Sequence, residues 1–212
     1  MDIVDPRIDA YLRTLQARHD EPVLLEMEEE GARRNFPIVG RNVGVTLELL
    51  ARSIGARRVF ELGSGFGYSA YWFARAVGTD GEVHCTDGDP ENESAAADYL
   101  KRAGLVSQIR YHVGDAVTWL NDTPGEFDVV YDDIDKQGYP DAWRAARERL
   151  RVGGLYICDN VLWSGRVAPD GEPPDEVTPA ILGHNAMIAA DERYASSILP
   201  IRDGVMVALR LS

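Results

Sequence analysis

Two acids and an amide stand where this chain can do chemistry. Asp133 follows the apolar run Phe127-Asp-Val-Val-Tyr-Asp132, and Asp159-Asn160 follow Gly153-Gly-Leu-Tyr-Ile-Cys158. Both runs read as buried strands, and neighbouring strands of a doubly wound sheet bring their carboxyl ends together. Asp133, Asp159 and Asn160 then form a hard oxygen set, suited to Mg²⁺, with Ca²⁺ or Mn²⁺ as alternatives, and unlike a zinc site. Loop caps at the two acids and a turn at Asn160 are the competing reading. Lys136 lies three residues beyond Asp133, one helical turn away, so its amine can reach the same place. Beside a cation its pKa would fall, which suits a general base. A solvated surface lysine is the plainer alternative, but Lys101 and Lys136 are the only lysines among 22 basic residues. His19, His84, His112 and His184 are scattered, and Cys85 and Cys158 lack metal-ligand spacing, so no nitrogen or sulfur site competes.

A second chemical signal is the stretch Glu61-Leu-Gly-Ser-Gly-Phe-Gly-Tyr-Ser69. A short apolar strand breaks into glycines, and Gly63 and Gly65 let the backbone approach a ligand closely. The spacing is Gly-x-Gly-x-Gly, with Tyr68 and Ser69 near where a dinucleotide fingerprint wants its third glycine. Glu61 would repel a pyrophosphate but suits a ligand with cationic groups. S-adenosylmethionine (SAM) has a sulfonium, an ammonium and no phosphate. Asp87, 24 residues beyond Gly63 (87 − 63), matches the spacing of an acid that binds ribose hydroxyls. Asp115 would either accept from adenine or cap the next helix, and both readings stay open.

The elements that must position these groups alternate. Strands are expected at 58–62, 82–86, 108–113, 127–132 and 153–158, with helices at 68–77, 90–103, 115–121 and 138–150. Such βα units imply an α/β fold with a doubly wound, mostly parallel sheet and helices on both faces. After the loop around 164–176 come a helix over 179–191 and strands near 194–199 and 204–211. Arg202-Asp203-Gly204 joins the last two as an antiparallel hairpin, for seven strands in all. Three helices precede the first strand, at 5–17, from Pro22, and at 42–54, with Ile8, Leu12 and Leu15 on one face of the first. They are expected to cap the sheet edge or form a dimer surface, giving a single domain with a helical cap (1–56) and an α/β core (57–212).

Composition sets the limits. A formal charge of −13 argues against a nucleic-acid backbone as the main partner. No apolar run approaches the ~20 residues that span a bilayer. The acidic start Met1-Asp-Ile-Val-Asp-Pro6 has no apolar signal core, which predicts a cytoplasmic protein with two ordinary buried thiols.

Four blocks in order resemble the cation-dependent O-methyltransferases of the catechol and caffeoyl-CoA group: Glu61 to Ser69, Phe127 to Lys136, Gly153 to Trp163, and Leu199-Pro-Ile-Arg-Asp203-Gly204. The similarity runs over nearly the whole chain and implies a Rossmann-like methyltransferase fold. It implies that Asp133, Asp159 and Asn160 hold a metal and that Lys136 is the base. It also places Val39, Glu61, Ser69, Asp87, Ala116 and Asp133 against SAM. The implied acceptor is a small catechol-like molecule with vicinal oxygens; the alternative is a hydroxylated wobble uridine in tRNA. A NAD-type dehydrogenase is disfavoured by the glycine spacing and Glu61, and a homodimer through the N-terminal helices is a family expectation. Two departures matter. The glutamate that animal catechol enzymes carry shortly before the final Asp-Gly is absent from Leu199-Pro-Ile-Arg202, and Phe66 fills a loop position usually given to a small residue. The loop Val167 to Glu176 is expected to cover the acceptor, its acids turning away polyanions.

Overall fold

The computed structural model describes residues 3–212, so the Met1-Asp2 start of the acidic N-terminus lies outside the described residues. Three helices, α1 (Pro6–Leu15), α2 (Pro22–Arg34) and α3 (Gly40–Ser53), come first. Then follow β1 (Arg58–Leu62), α4 (Tyr68–Val77), β2 (Glu82–Asp87), α5 (Pro90–Arg102), β3 (Ile109–Val113) and α6 (Ala116–Asp122). The chain continues through β4 (Phe127–Asp132), α7 (Tyr139–Ala146), β5 (Leu150–Cys158), α8 (Thr178–Ala189), β6 (Tyr194–Leu199) and β7 (Val205–Arg210). The starts follow local chemistry. Asp5 accepts from the Arg7 amide ahead of Pro6, Asp89 accepts from Glu91 ahead of Pro90, and Asp115 accepts from Thr118.

The seven strands lie in the order β3-β2-β1-β4-β5-β7-β6. Strands β1 to β5 are mutually parallel, and β7 runs antiparallel to both β5 and β6. The expected hairpin forms, with its second strand inserted next to β5. The order reverses between β1 and β4, so a crevice opens at their carboxyl ends. Each face of the sheet carries a core: α2 to α5 cover one, and α6 to α8 the other. Leu24 and Met27 of α2 are fully buried in the first, each contributing about 1.5–3 kcal/mol by removal from water.

Two expectations need correction. The N-terminal helices do not cap the sheet edge: α3 lies along α4 and α2 reaches α5. Gly44 permits that approach, since a Cβ there would stand 2.1 Å from the Trp72 indole nitrogen. No residue of α1 is buried; Ile8 and Leu15 on its apolar face are 54% and 55% exposed, as the dimer-surface alternative requires of a single chain. Helix α7 ends at Ala146, four residues early, because β5 begins at Leu150 and the Arg149 carbonyl already accepts from Phe127 (2.8 Å).

The histidines are not all scattered either. Register places β2 beside β3, so His84 Nδ1 stands 3.1 Å from His112 Nε2, with Trp119 stacked on His112. Burial holds both imidazoles below their ordinary pKa. On the other face, Tyr156 Oη donates to Asp132 Oδ2 (2.6 Å) and lies 2.9 Å from His184 Nε2, while His184 Nδ1 faces Asn185. Asp132, Cys158 and His184 come close enough to suggest a metal, but the Tyr156 hydroxyl already bridges the first and last. A hydrogen-bonded network is the better description. Burial pushes His184 down to about 4 from 6.5. The folded state therefore resists protonation there, and stability is lost as pH falls through 6.5 toward 4. Between pH 7 and 4.5 that loss is about 2 kcal/mol. Unfolding free energies from urea titrations are expected to fall between the two pH values further for wild type than for His184→Gln by about that amount; equal losses would remove His184 as the cause.

Candidate active site

The glycine turn after β1 is held from three sides. Thr86 Oγ1 donates to the Glu61 carbonyl (2.7 Å) and accepts from the Gly63 amide (3.2 Å), while the Ser64 amide donates to the Thr86 carbonyl (2.7 Å). Tyr111 Oη reaches the Gly65 carbonyl at 2.5 Å. Asp87 accepts from the Gly65 amide at 3.1 Å and from Asp89 and Asn92 through its other oxygen. Gly63 has φ 85°, and a Cβ there would meet the Asp133 carbonyl oxygen at 2.7 Å, so the loop closes directly onto the end of β4. Gly65, at φ 50°, gives up its Cβ to the ring of Phe36. Phe66, the unusual loop residue, is buried against Phe36 (5.2 Å between centroids) and Tyr99. It ties the α2–α3 connection to the glycine turn.

Glu61 lies beneath this turn, fully buried. One oxygen accepts from Ser64 Oγ (2.8 Å); the other has no partner. Burial pushes its carboxyl up to about 7, against the influence of Ser69, Ser64 and Cys85. A buried, half-satisfied acid under a glycine cradle fits a ligand that brings a cationic or donor group.

The acids after β4 and β5 meet as the strand order requires. Asp132 pairs with Cys158 across the two strands, and the Asp159 amide donates to the Asp132 carbonyl (3.2 Å). Asp159 is 1% exposed, and neither carboxylate oxygen has a hydrogen bond. Burial and the charge of Asp133 push it up to about 7, with Arg202 pulling the other way from 3.8 Å. Asn160 turns the chain at φ 57°, a left-handed position. That turn is fixed behind: Val161 N donates to the Gly204 carbonyl (3.1 Å), Leu162 N to the Asp203 carbonyl (2.9 Å), and Asn185 Nδ2 to the Val161 carbonyl (2.9 Å). Two orphaned oxygens beside a second carboxylate and an amide make a hole for a hard divalent cation.

Lys136 Nζ is 2.8 Å from Asp133 Oδ1 and 3.2 Å from the Ile134 carbonyl, over the Tyr139 ring. A bend, not a helical turn, closes the three-residue gap, because Lys136 opens its own short 3₁₀ turn. Burial lowers its pKa, but Asp133 outweighs that and holds the ammonium above its usual value.

One cavity of about 930 Å³ joins the two regions. Val39, Gly63, Gly65, Ser69, Asp87, Asp115, Ala116, Asp133, Lys136, Asp159 and Asn160 all line it; Glu61 lies behind the wall. Asp115 contributes from the end of β3 while its carboxylate caps α6 (2.7 Å to Thr118 N).

A family model described as O-methyltransferase matches residues 15–211. The chain belongs to the O-methyltransferase family. A catechol O-methyltransferase from Niastella koreensis is 31% identical over 216 residues, spanning 95% of this chain and 96% of the relative. Caffeoyl-CoA O-methyltransferase 1 from Eucalyptus globulus is 30% identical over 207 residues, 92% and 84% of the two chains. Among solved structures, TomG from Streptomyces achromogenes, an O-methyltransferase involved in tomaymycin synthesis and seen with SAM, superposes with a TM-score of 0.82 at 29% identity, covering 91% of each chain. The Bacillus cereus O-methyltransferase in complex with SAH gives 0.81 at 28% identity, covering 90% of this chain and 91% of that one.

Several wall residues of this O-methyltransferase were not among the expected site residues. Phe36, Ile38, Trp163, Val177 and Arg202 reach the cavity from connections. Trp163, at φ 46°, is fixed by its indole nitrogen donating to Asp175 (2.8 Å). Asp175 also caps the start of α8 through Thr178. The loop 167–176 was expected to set acids over the acceptor. Its acids are not among the lining residues, whereas the flanking Trp163 and Val177 are.

Proposed function

We propose that this O-methyltransferase uses SAM and a divalent cation, Mg²⁺ first, to methylate a hydroxyl of a small acceptor with vicinal oxygens. The observation that carries the reading is Asp159: two buried carboxylate oxygens without a hydrogen bond, facing a cavity that also reaches the glycine turn. SAM supplies an activated methyl group, and the cation supplies a Lewis acid that lowers the pKa of an acceptor hydroxyl. Asp133, Asp159 and Asn160 would hold the cation. The glycine turn, Ser69, Val39 and Ala116 would seat the donor, with Glu61 as the negative charge beneath it. Asp87 keeps acceptor capacity for ribose hydroxyls beyond the loop contacts it makes. Lys136 stands beside Asp133 to take the hydroxyl proton; with the Asp133 charge turned to a cation, the influence that raises this amine is cancelled. Trp163, Ile38 and Val177 give the acceptor apolar walls, and holding both reactants in one cavity supplies much of the rate gain.

Methyl transfer from SAM to catechol, measured with Mg²⁺ and then with excess chelator, tests the reading. Activity is expected to fall by on the order of a hundredfold or more on chelation. Full activity in chelator overturns the cation's role, and tighter calorimetric binding of NAD than of SAM overturns the donor assignment.

A further inference from the structure

At the acceptor end of the cavity, Arg202 is a partly exposed cation among the acids Asp133 and Asp159. Arg202 sits at the tip of the β6–β7 connection with φ 51°, and the tip is braced by Gly204 N to the Ile201 carbonyl (2.8 Å) and Ser164 N to Asp203 Oδ1 (2.6 Å). Its guanidinium pairs with Asp159 loosely, at 3.8 Å, and takes no hydrogen bond among the described residues. The side chain is 43% exposed, into open cavity. Arg202 also borders a second cavity of about 440 Å³, which shares Ile38 and Val39 with the first and runs toward α1 and Arg13.

The acids of that extension are already committed. Asp9 accepts from Asn42 (2.8 Å), and Glu28 accepts from Arg41 (2.9 Å) and Tyr68 (2.8 Å). Arg13 lines it too and has no ion pair among the described residues, so two guanidiniums border the extension. A cation on Asp159 would draw off the carboxylate that Arg202 approaches. A planar guanidinium held at a fixed tip, with its donors free, matches a carboxylate.

Resting on the O-methylation reading above, we propose that Arg202 selects acceptors: the molecule methylated is an aromatic vicinal diol that carries a carboxylate, and Arg202 binds that carboxylate. The hydroxyls face Lys136 and the metal-type ligands, the ring lies between Ile38 and Trp163, and the carboxylate points to Arg202 and the extension.

The test compares 3,4-dihydroxybenzoate with uncharged catechol in two assays. One is calorimetric binding to protein saturated with S-adenosylhomocysteine and Mg²⁺, and the other is steady-state methyl transfer. Wild type is expected to favour the acid by about ten- to a hundredfold in Kd and in KM, the range of a charge-assisted pair. Arg202→Gln is expected to bring that ratio near one, and Arg202→Lys to keep part of it. A wild-type ratio near one, or a ratio unchanged in Arg202→Gln, overturns the proposal. Because binding is read separately, preference for the acid without methyl transfer would keep Arg202 as the anion site and strike the O-methylation reading instead. Methylated catechol with no acid preference would strike this inference alone.

Discussion

Asp159→Ala is expected to lower methyl transfer by on the order of a thousandfold, about 4 kcal/mol, while SAM binding changes little. The separation follows from geometry. Asp159 is at the end of β5, whereas the donor-side contacts arise from β1, β2 and β3, two to four places away in the strand order. A second readout distinguishes a ligand from a structural acid. Asp159 is buried, has no hydrogen bond to either oxygen, and is pushed up to about 7 from 3.8. A folded-state pKa above the unfolded one means that ionising the group costs stability, and the cost grows as pH rises from about 4 to about 7. Asp159→Asn is therefore expected to raise Tm at pH 8 without added cation and to lose that advantage below pH 4. Adding Mg²⁺ should raise the wild-type Tm, by mass action on the folded state, and leave the variant nearly unmoved. Thermal melts with and without Mg²⁺ check this. A variant that melts lower than wild type at pH 8 and still responds to Mg²⁺ would show that Asp159 is a structural acid.

Strand ends and the glycine turn can be read from the sequence because alternation and breaker residues act within a few positions, and Asp133 and Asp159 then follow from adjacency of β4 and β5. Thr86 could not be read that way. It holds the glycine turn only because β2 lies against β1 with Phe60 opposite His84, a register no local pattern declares. His84 and His112, 28 residues apart, meet for the same reason. Trp163 and Arg202 were visible as members of motifs, but their direction is set by left-handed backbone at φ 46° and 51°, in connections fixed by tertiary hydrogen bonds. The N-terminal helices misled because amphipathic spacing says that a face is apolar, not what covers it. Helix α3 finds Trp72 through Gly44, while the α1 face with Ile8 and Leu15 is left uncovered by the rest of this chain. The same limit applied to the loop at 167–176, whose acids were counted but whose orientation was not known.

Lys136→Met is expected to reduce kcat by about a hundred- to ten-thousandfold with a much smaller change in KM, the loss typical of a positioned general base. Methionine keeps the length of the side chain and its place over Tyr139, so the fold around the site should stand. The structure gives this lysine two possible tasks, because its ammonium is held above its usual pKa by Asp133 at 2.8 Å. It is either a permanent positive partner of Asp133 or an amine that yields its proton once Asp133 faces a cation. Lys136→Arg separates them. Arginine preserves the charge and can reach the carboxylate, but it does not deprotonate in proteins. A partner role predicts that arginine restores most of the activity; a base role predicts that it stays near the methionine level. The pH profile gives the independent reading. In wild type kcat/KM should rise with pH as the lysine loses its proton, and in Lys136→Met that limb should vanish at whatever activity remains. We expect arginine to fail and the limb to disappear. A divalent cation held by Asp133 and Asp159 would itself supply the positive charge there, so a lysine that only repeated that charge would add little.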